Sequence, residues 1–367
     1  MQKLKPKTCF FACFQNNKYF YMKTLQKIIK IAFGIDISSD DFAVSCGIFY
    51  DNMEREVNNL KMFKNNQRGF NKLLAYTRKL QSKINPDGSI QTWYVMESSG
   101  VYGENLAYFL TEKCLNVHVA LANKVRNFKK TLQVKSKTDG LDSLAISLYG
   151  LEKQLTKWAA PSPEMKRLKE LSRELSTAKE MVTSIKNQLH ARRSAHEINS
   201  SSIKRTNEQI KFFNKQIKNI EKDINTTLNE NPEIKTKIDK ITKAKGIGAQ
   251  TVVTVISETN KFEGITNRNQ LTSFAGLDIV ENQSGKKNGK THISKKGNRY
   301  IRKALYMPTM SCKKYDQKMK HLYERVCERH GWKIKKIGIM AVMRKILHLI
   351  YALWKNDTEY DPNYGIA

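Results

Sequence analysis

The sequence predicts an α/β unit followed by a helical half, and two observations carry that prediction. From residue 27 to about 121 the apolar pattern switches between period two and helical spacing, whereas beyond Pro161 apolar residues recur every three or four positions. At 367 residues and 40% hydrophobic content the chain is long enough for two or three compact units with cores of their own.

Residues 31–37 and 42–49 read as strands joined by the polar turn Ser38, Ser39, Asp40 and Asp41, so a hairpin is expected. Residues 57–63 fit a third strand, 70–82 a helix, 92–96 a buried strand ending on Glu97, 103–114 a helix and 117–121 a further strand. Three antiparallel strands followed by alternating helix and strand describe an RNase H-like sheet. Beyond Pro161, Leu168, Leu171, Leu175, Ala178, Val182, Ile185 and Leu189 form a coiled-coil seam. After a polar break at residues 199–202 a second seam runs through Ile203, Ile210, Phe213, Ile217, Ile220 and Ile224 to Pro232. Two such helices can fold back on each other, pair with a second protomer or act as a spacer; self-association as dimer or tetramer is the preferred reading. The expected domains are an extension over 1–26, an α/β unit over 27–160, a coiled-coil linker over 161–234 and a mostly helical unit over 235–367. Met22 stands just before the first strand, so residues 1–21 read as an unstructured extension or an over-long start.

Sixty-five Lys and Arg against 34 Asp and Glu give a formal charge of +31, which makes nucleic acid the default partner. A structural RNA-binding protein would carry a similar excess, so charge implies binding and not chemistry. Six cysteines without paired-ligand spacing argue against a zinc site or a disulfide framework. The N-terminal segment is too soon interrupted by polar residues for a signal peptide, and no apolar run is expected to span a membrane, so a cytoplasmic protein is expected. In the last third, Gly246 and Gly248 precede an apolar helix and would offer backbone N–H groups to a phosphate, or else form a plain turn. Residues 286–336 hold seventeen Lys and Arg against three acids, interleaved with tyrosines and a tryptophan. Lys286, Lys287, Lys295, Lys296, Arg299, Arg302 and Lys303 are therefore candidates for nucleic-acid contact.

Asp36 sits in an apolar strand among Phe33, Ile35 and Ile37, where an ionised carboxylate needs a cation or hydrogen bonds. Glu97 ends another strand, and Asp139 and Asp142 are three apart, on one face if helical. Singly each has a bland reading: Asp139 as a helix N-cap, Asp142 as a solvent-facing acid, Glu97 as a strand-end charge. Together they suit phosphodiester transfer, which two Mg²⁺ ions about 4 Å apart catalyse by stabilising the attacking and leaving oxygens. Mg²⁺ takes hard oxygen ligands such as these.

These motifs resemble the DEDD transposases of insertion-sequence type 110 (IS110/IS116/IS902), relatives of the Piv pilin-gene invertase and bridge-RNA-guided recombinases. The resemblance rests on residues 34–37, 97–102 and 137–142, then on Gly246-Ile-Gly248, Phe274-Ala-Gly-Leu277, 283–286 and 293–307. It implies a RuvC-like domain, a coiled-coil linker and a C-terminal domain whose serine attacks DNA; the matching serine is Ser284. On spacing alone a Ser before Gly is usually a turn residue. The rival Ser294 reads as an N-cap for the following basic helix. Ser98 and Ser143 depart from smaller or less polar residues in the family motifs. The implied activity is cutting and rejoining of donor and target DNA, with Mg²⁺, through a covalent phosphoserine intermediate and guided by an element-encoded bridge RNA. A nuclease using metal-activated water and a non-catalytic nucleic-acid-binding protein are the alternatives.

Overall fold

The computed structural model of the chain describes residues 27–98, 100–132, 138–197, 199–284, 287–289, 291–332 and 334–361. The expected extension over 1–26 lies outside them, as does Lys286. The chain forms two compact units, dividing between Ala160 and Pro161.

In the first unit β1 (Ile28–Ile37), β2 (Asp41–Tyr50) and β3 (Arg55–Lys64) form the antiparallel meander that the alternating pattern predicts. The tight turn between β1 and β2 is held by Ser38, whose N–H donates to Asp41 O at 2.9 Å and whose hydroxyl also bonds Asp41. Helix α1 (Gln67–Ile84) follows, then β4 (Thr92–Glu97), α2 (Glu104–Glu112), β5 (Val117–Ala120), α3 (Ala122–Thr131) and α4 (Asp139–Glu152). The sheet order is β3-β2-β1-β4-β5, with β1, β4 and β5 parallel, which is the RNase H-like arrangement. One face buries Ile31, Phe33, Ile35, Phe42 and Val44 against Phe70, Leu73 and Leu74 of α1 and Leu106 and Leu110 of α2. Each such side chain contributes about 1.5–3 kcal/mol on burial. Strand alternation turns Ala32, Gly34 and Asp36 to the opposite face, under α4.

Helix α4 lies directly on that face because its inner residues are small. A Cβ at Gly34 would stand 2.2 Å from Ser143 O and Ser147 N. Ser143 is fully buried, its hydroxyl 2.7 Å from that of Ser45. The polar departure at Ser143 is therefore satisfied by a second serine across the interface, and the close approach sets the first turn of α4 beside the end of β1.

In the second unit α5 (Pro163–Arg193) and α6 (Ser200–Asn229) fold back as an antiparallel hairpin, with Asn199 capping α6. Ion pairs Lys179–Glu221 at 2.9 Å and Arg167–Glu230 at 3.7 Å fix the register. Leu168, Leu175, Ala178, Ile220, Ile224 and Leu228 at its base share one core with the helices that follow. Those are α7 (Pro232–Thr242), α8 (Ala249–Glu258), α9 (Arg268–Ala275), α10 (Arg299–Tyr315), α11 (Gln317–Arg329) and α12 (Lys335–Asn356).

The expectation that no apolar run reaches membrane-spanning length is corrected by α12, whose 22 residues do so in length and composition. Its Val342, Met343, Ile346, Leu347 and Ile350 lie in the core of the second unit, which accounts for the apolar composition.

Between α9 and α10 runs a narrow antiparallel ribbon of two-residue strands. In it β6 (Ile279–Val280) pairs with β9 (His292–Ile293), and β7 (Gln283–Ser284) pairs with β8 (Lys287–Asn288).

Candidate active site

Asp36 is the penultimate residue of β1 rather than a mid-strand residue, and Glu97 ends the neighbouring parallel strand, where Ile35 pairs with Met96. The two acids thus share one end and one face of the sheet. Asp139 and Asp142 occupy the first turn of α4, and the N-cap is Thr138, whose hydroxyl accepts from Leu141 N at 3.3 Å. Asp139 is therefore not the cap, and carboxylates in that turn also face the positive end of the helix dipole.

A residue that the sequence reading did not single out completes the cluster. Lys129 of α3 places its ammonium 3.0 Å from Asp142 Oδ1 and 3.6 Å from Glu97 Oε2. Nothing in its residue type distinguishes it from the chain's other lysines. The Asp36 carboxyl is pushed up from 3.8 to about 6, first by burial and then by the Asp142 charge; Lys129 opposes this, and Asp139 and Glu97 add to it.

As placed, no three acidic, His or Cys side chains among the described residues form a group able to hold a metal ion. The four acids gather without converging, and the Lys129 ammonium stands between Glu97 and Asp142. Their chemistry nonetheless fits a hard divalent cation. The donors are all carboxylate oxygens, and burial first, then the charges of Asp142, Asp139 and Glu97, drive Asp36 toward its neutral form, with Lys129 the one cation that opposes them.

Ser284 belongs to the other unit. It is exposed on β7 near the tip of the ribbon, opposite Lys287 in register. The base of the ribbon is clamped where Gly276 ends α9 in the left-handed conformation (φ 67°) and meets Gly297. A Cβ on Gly297 would lie 2.4 Å from Gly276 N. The Asn298 N–H donates to Phe274 O at 2.8 Å, and the Ser294 N–H to Asp278 O at 2.9 Å. The Ala-Gly-Leu and Ser-Lys-Lys-Gly-Asn motifs thus hold the two ends of the Ser284 ribbon together.

Ser294 does not cap α10, contrary to expectation: its hydroxyl donates to the Asp278 carboxylate. Asn298 is the cap, accepting from Tyr300 N at 2.9 Å and Ile301 N at 3.1 Å. The Asn298 amide in turn donates to Glu258 at 2.7 Å, a buried carboxylate held by both Nε and Nη2 of Arg173 at 2.6 and 2.8 Å. This network ties α5, α8 and α10 together.

Of the basic candidates, Lys295, Lys296 and Arg299 are exposed around the start of α10. Arg302 is committed to the carbonyls of Ala275 and Gly297, and Lys303 to Ser176 and Glu180. Gly246 has a structural reason for being glycine: its φ is +94° and a Cβ would meet Cys312 N at 2.9 Å. Gly248, the N-cap residue of α8, is exposed with open space beside it.

An RNase H-like sheet with four acids gathered around the end of β1 defines a DEDD-type transposase domain. Residues 33–192 match the DEDD transposase model of the IS110 type, and residues 238–324 match the model described as "Transposase IS116/IS110/IS902 family". The two models span about two thirds of the chain, which belongs to the IS110 family of transposases, DNA-recombining enzymes. It is 26% identical over 336 residues to the pilin gene-inverting protein of Moraxella bovis, covering 90% of this chain and 98% of that one. The protein of the same name from Moraxella lacunata is 26% identical over 339 residues, with the same coverages. Among solved structures, RuvC of T. thermophilus in complex with a Holliday junction substrate is similar over 35% of this chain and 99% of its own. That likeness has 10% identity and a TM-score of 0.26, so the RNase H-like assignment stands on the strand order.

Proposed function

We propose that this transposase of a mobile insertion sequence cuts and rejoins donor and target DNA with Ser284 as nucleophile and a Mg²⁺ site built from Asp36, Glu97, Asp139 and Asp142. The observation that carries this reading is the under-neutralised carboxylate cluster around Asp36. When bound, Mg²⁺ would stabilise negative charge developing on the phosphate and its attacking and leaving oxygens. The chain's own part is to hold four oxygen donors at one sheet end and to present a serine on a ribbon beside lysines. Ser284 Oγ forms a bond to phosphorus as the strand oxygen leaves, taking a proton and becoming a hydroxyl; the serine proton goes to solvent. Attack by another strand's hydroxyl on the phosphoserine reverses these changes, restores Ser284 and makes the new phosphodiester, so no phosphate ester is lost.

A bridge RNA encoded by the element selects the two DNA sites in this reading, which the charge of +31 supports. Self-association as a dimer or tetramer holds the sites together. Exposed Met181 of α5 and Phe212 of α6, with Ile210 and Ile217 only partly covered, leave apolar surface on the helical hairpin for a second copy. The protein acts in the cytoplasm.

The test is recombination between two plasmid-borne sites with purified protein, RNA transcribed from the DNA flanking the gene, and Mg²⁺. Joined product is expected only when all three are present, and none with Asp36→Asn or Glu97→Gln. Full activity without RNA would remove the guide, and full activity of either variant would remove the metal site.

A further inference from the structure

The first unit carries a second charged surface that lies outside every site named above. From Val57 to Pro86 the sequence holds seven Lys and Arg and no Asp or Glu, where the composition of the chain would place about three acids. The fold turns that run into one groove. β3 is one edge of the sheet, α1 begins three residues after it ends, and Arg68, Lys72 and Lys79 lie along one stripe of α1 at spacings of four and seven. With Lys61 and Lys64 of β3 they line an open cavity of about 830 Å³ that includes Tyr76, and among the described residues no acid lines it.

All five cationic residues are exposed. The Lys61 ammonium sits 4.7 Å from the centre of the Tyr76 ring, and Lys64 has only a loose pairing with Asp41 at 3.7 Å. Lysines on an edge strand are a common guard against strand pairing, which accounts for Lys61 and Lys64. It does not account for the stripe on α1. Like charges at four-residue spacing slightly weaken a helix and are ordinarily interleaved with acids, so this stripe suits an external polyanion.

We propose that the β3–α1 groove binds a nucleic-acid backbone, its five cations meeting phosphates and the Tyr76 ring offering a face to a base. Met62 pairs with Ala43, which pairs with Asp36, so β3 lies two strand spacings, about 10 Å, from β1. The groove opens on the α1 face of the sheet and the carboxylates lie on the α4 face, so the two are separate surfaces of one unit. The proposal goes beyond the recombinase reading and depends on neither the metal nor Ser284, so its failure leaves that reading untouched.

The test uses the full chain in EDTA and three fluorescent probes of one sequence: single-stranded RNA, single-stranded DNA and duplex DNA. Arg68→Glu/Lys72→Glu/Lys79→Glu is compared with Lys211→Glu/Lys215→Glu/Lys218→Glu on α6, which changes net charge equally at exposed positions. For at least one probe the groove variant should bind about tenfold or more weakly at physiological salt. For that probe its log–log salt dependence should be flatter by about 2–3, and the control should differ from wild type by less than about threefold. A loss confined to RNA or to DNA names the occupant, and a loss on all three probes means that the groove reads the shared backbone. Photo-crosslinking of a thiouridine RNA and an iodouracil DNA should label peptides within residues 61–79. Wild-type binding of all probes by the groove variant, an equal loss in the control, or crosslinks confined to the second unit would overturn the proposal.

Discussion

Replacing Asp36 by Asn should make the metal-free protein more stable at neutral pH, an unusual direction for a change at the end of a core strand. The reason is the environment of the carboxyl, which burial and three neighbouring acids push from 3.8 to about 6. At about 1.4 kcal/mol for each tenfold change in proton affinity, ionising it in the folded chain costs at most about 3 kcal/mol. Allowing for the part of the group open to solvent leaves roughly 1–2 kcal/mol. The sign follows from proton uptake. Below about pH 4 folded and unfolded chains both carry the protonated acid; between about 4 and 6 the unfolded chain loses its proton first, so folding weakens as pH rises, and above about 6 the whole cost is present. Asn never bears that charge. Because the chain has two compact units, hydrogen exchange at β1 and β4 amides, read by mass spectrometry from pH 4 to 8 in EDTA, isolates the relevant one. The variant should be protected more than wild type at about pH 7.5 by roughly 1–2 kcal/mol and equally at about pH 4. Mg²⁺ should raise protection in wild type and little in the variant. A variant less protected at neutral pH, or a gap independent of pH, would refute the reasoning.

Three further outcomes are expected, one at the carboxylate cluster, one at the α4–sheet contact and one in the second unit. Lys129→Met removes the one charge that lowers the Asp36 proton affinity, so the pH midpoint for Asp36 should move above 6, and Mn²⁺ binding followed by electron paramagnetic resonance should tighten; an unchanged midpoint would mean that Lys129 is not coupled to the cluster. Gly34→Ala forces α4 off the sheet against the backbone of Ser143 and Ser147, costing about 3 kcal/mol or more in thermal unfolding of the first unit; a shift of less than a degree would contradict that contact. Arg173→Ala leaves the Glu258 carboxylate buried without its cation, at about 3–5 kcal/mol in urea unfolding of the second unit. Arg173→Met/Glu258→Met should recover most of that loss, and a double variant as unstable as Arg173→Ala would show that the pair is not the cause.

What could be read from the sequence was whatever leaves a local trace. Asp36 was legible because a charge amid Phe33, Ile35 and Ile37 violates the pattern around it, and Glu97 because it closes an apolar strand. The hairpin of α5 and α6 was legible in its seams, although the pattern could not say whether the partner was the same chain. Lys129 left no trace, since its role is made by α3 and α4 meeting beside β4, a contact that no period or motif in the sequence marks. The Arg173–Glu258 pair, 85 residues apart, was hidden as well. The Ser284 ribbon consists of two-residue strands too short for any period to register. Ser294 was misread as a cap because Asn298, four residues on, holds the actual position, and α12 was overlooked as a long apolar run because its cationic residues interrupt it.

The central claim, a serine that takes the DNA strand covalently while the carboxylate cluster serves the phosphate, meets its most direct test in one product analysis. Protein, guide RNA and a labelled DNA substrate are mixed with Mg²⁺, quenched in denaturant, and any protein-linked DNA is digested for peptide mass spectrometry. A single phosphoester is expected on the peptide carrying Ser284, absent with Ser284→Ala and absent with Asp36→Asn. An adduct that survives Ser284→Ala, or free cleaved ends from the wild-type protein with no adduct at all, would contradict it, the latter being the product of attack by water.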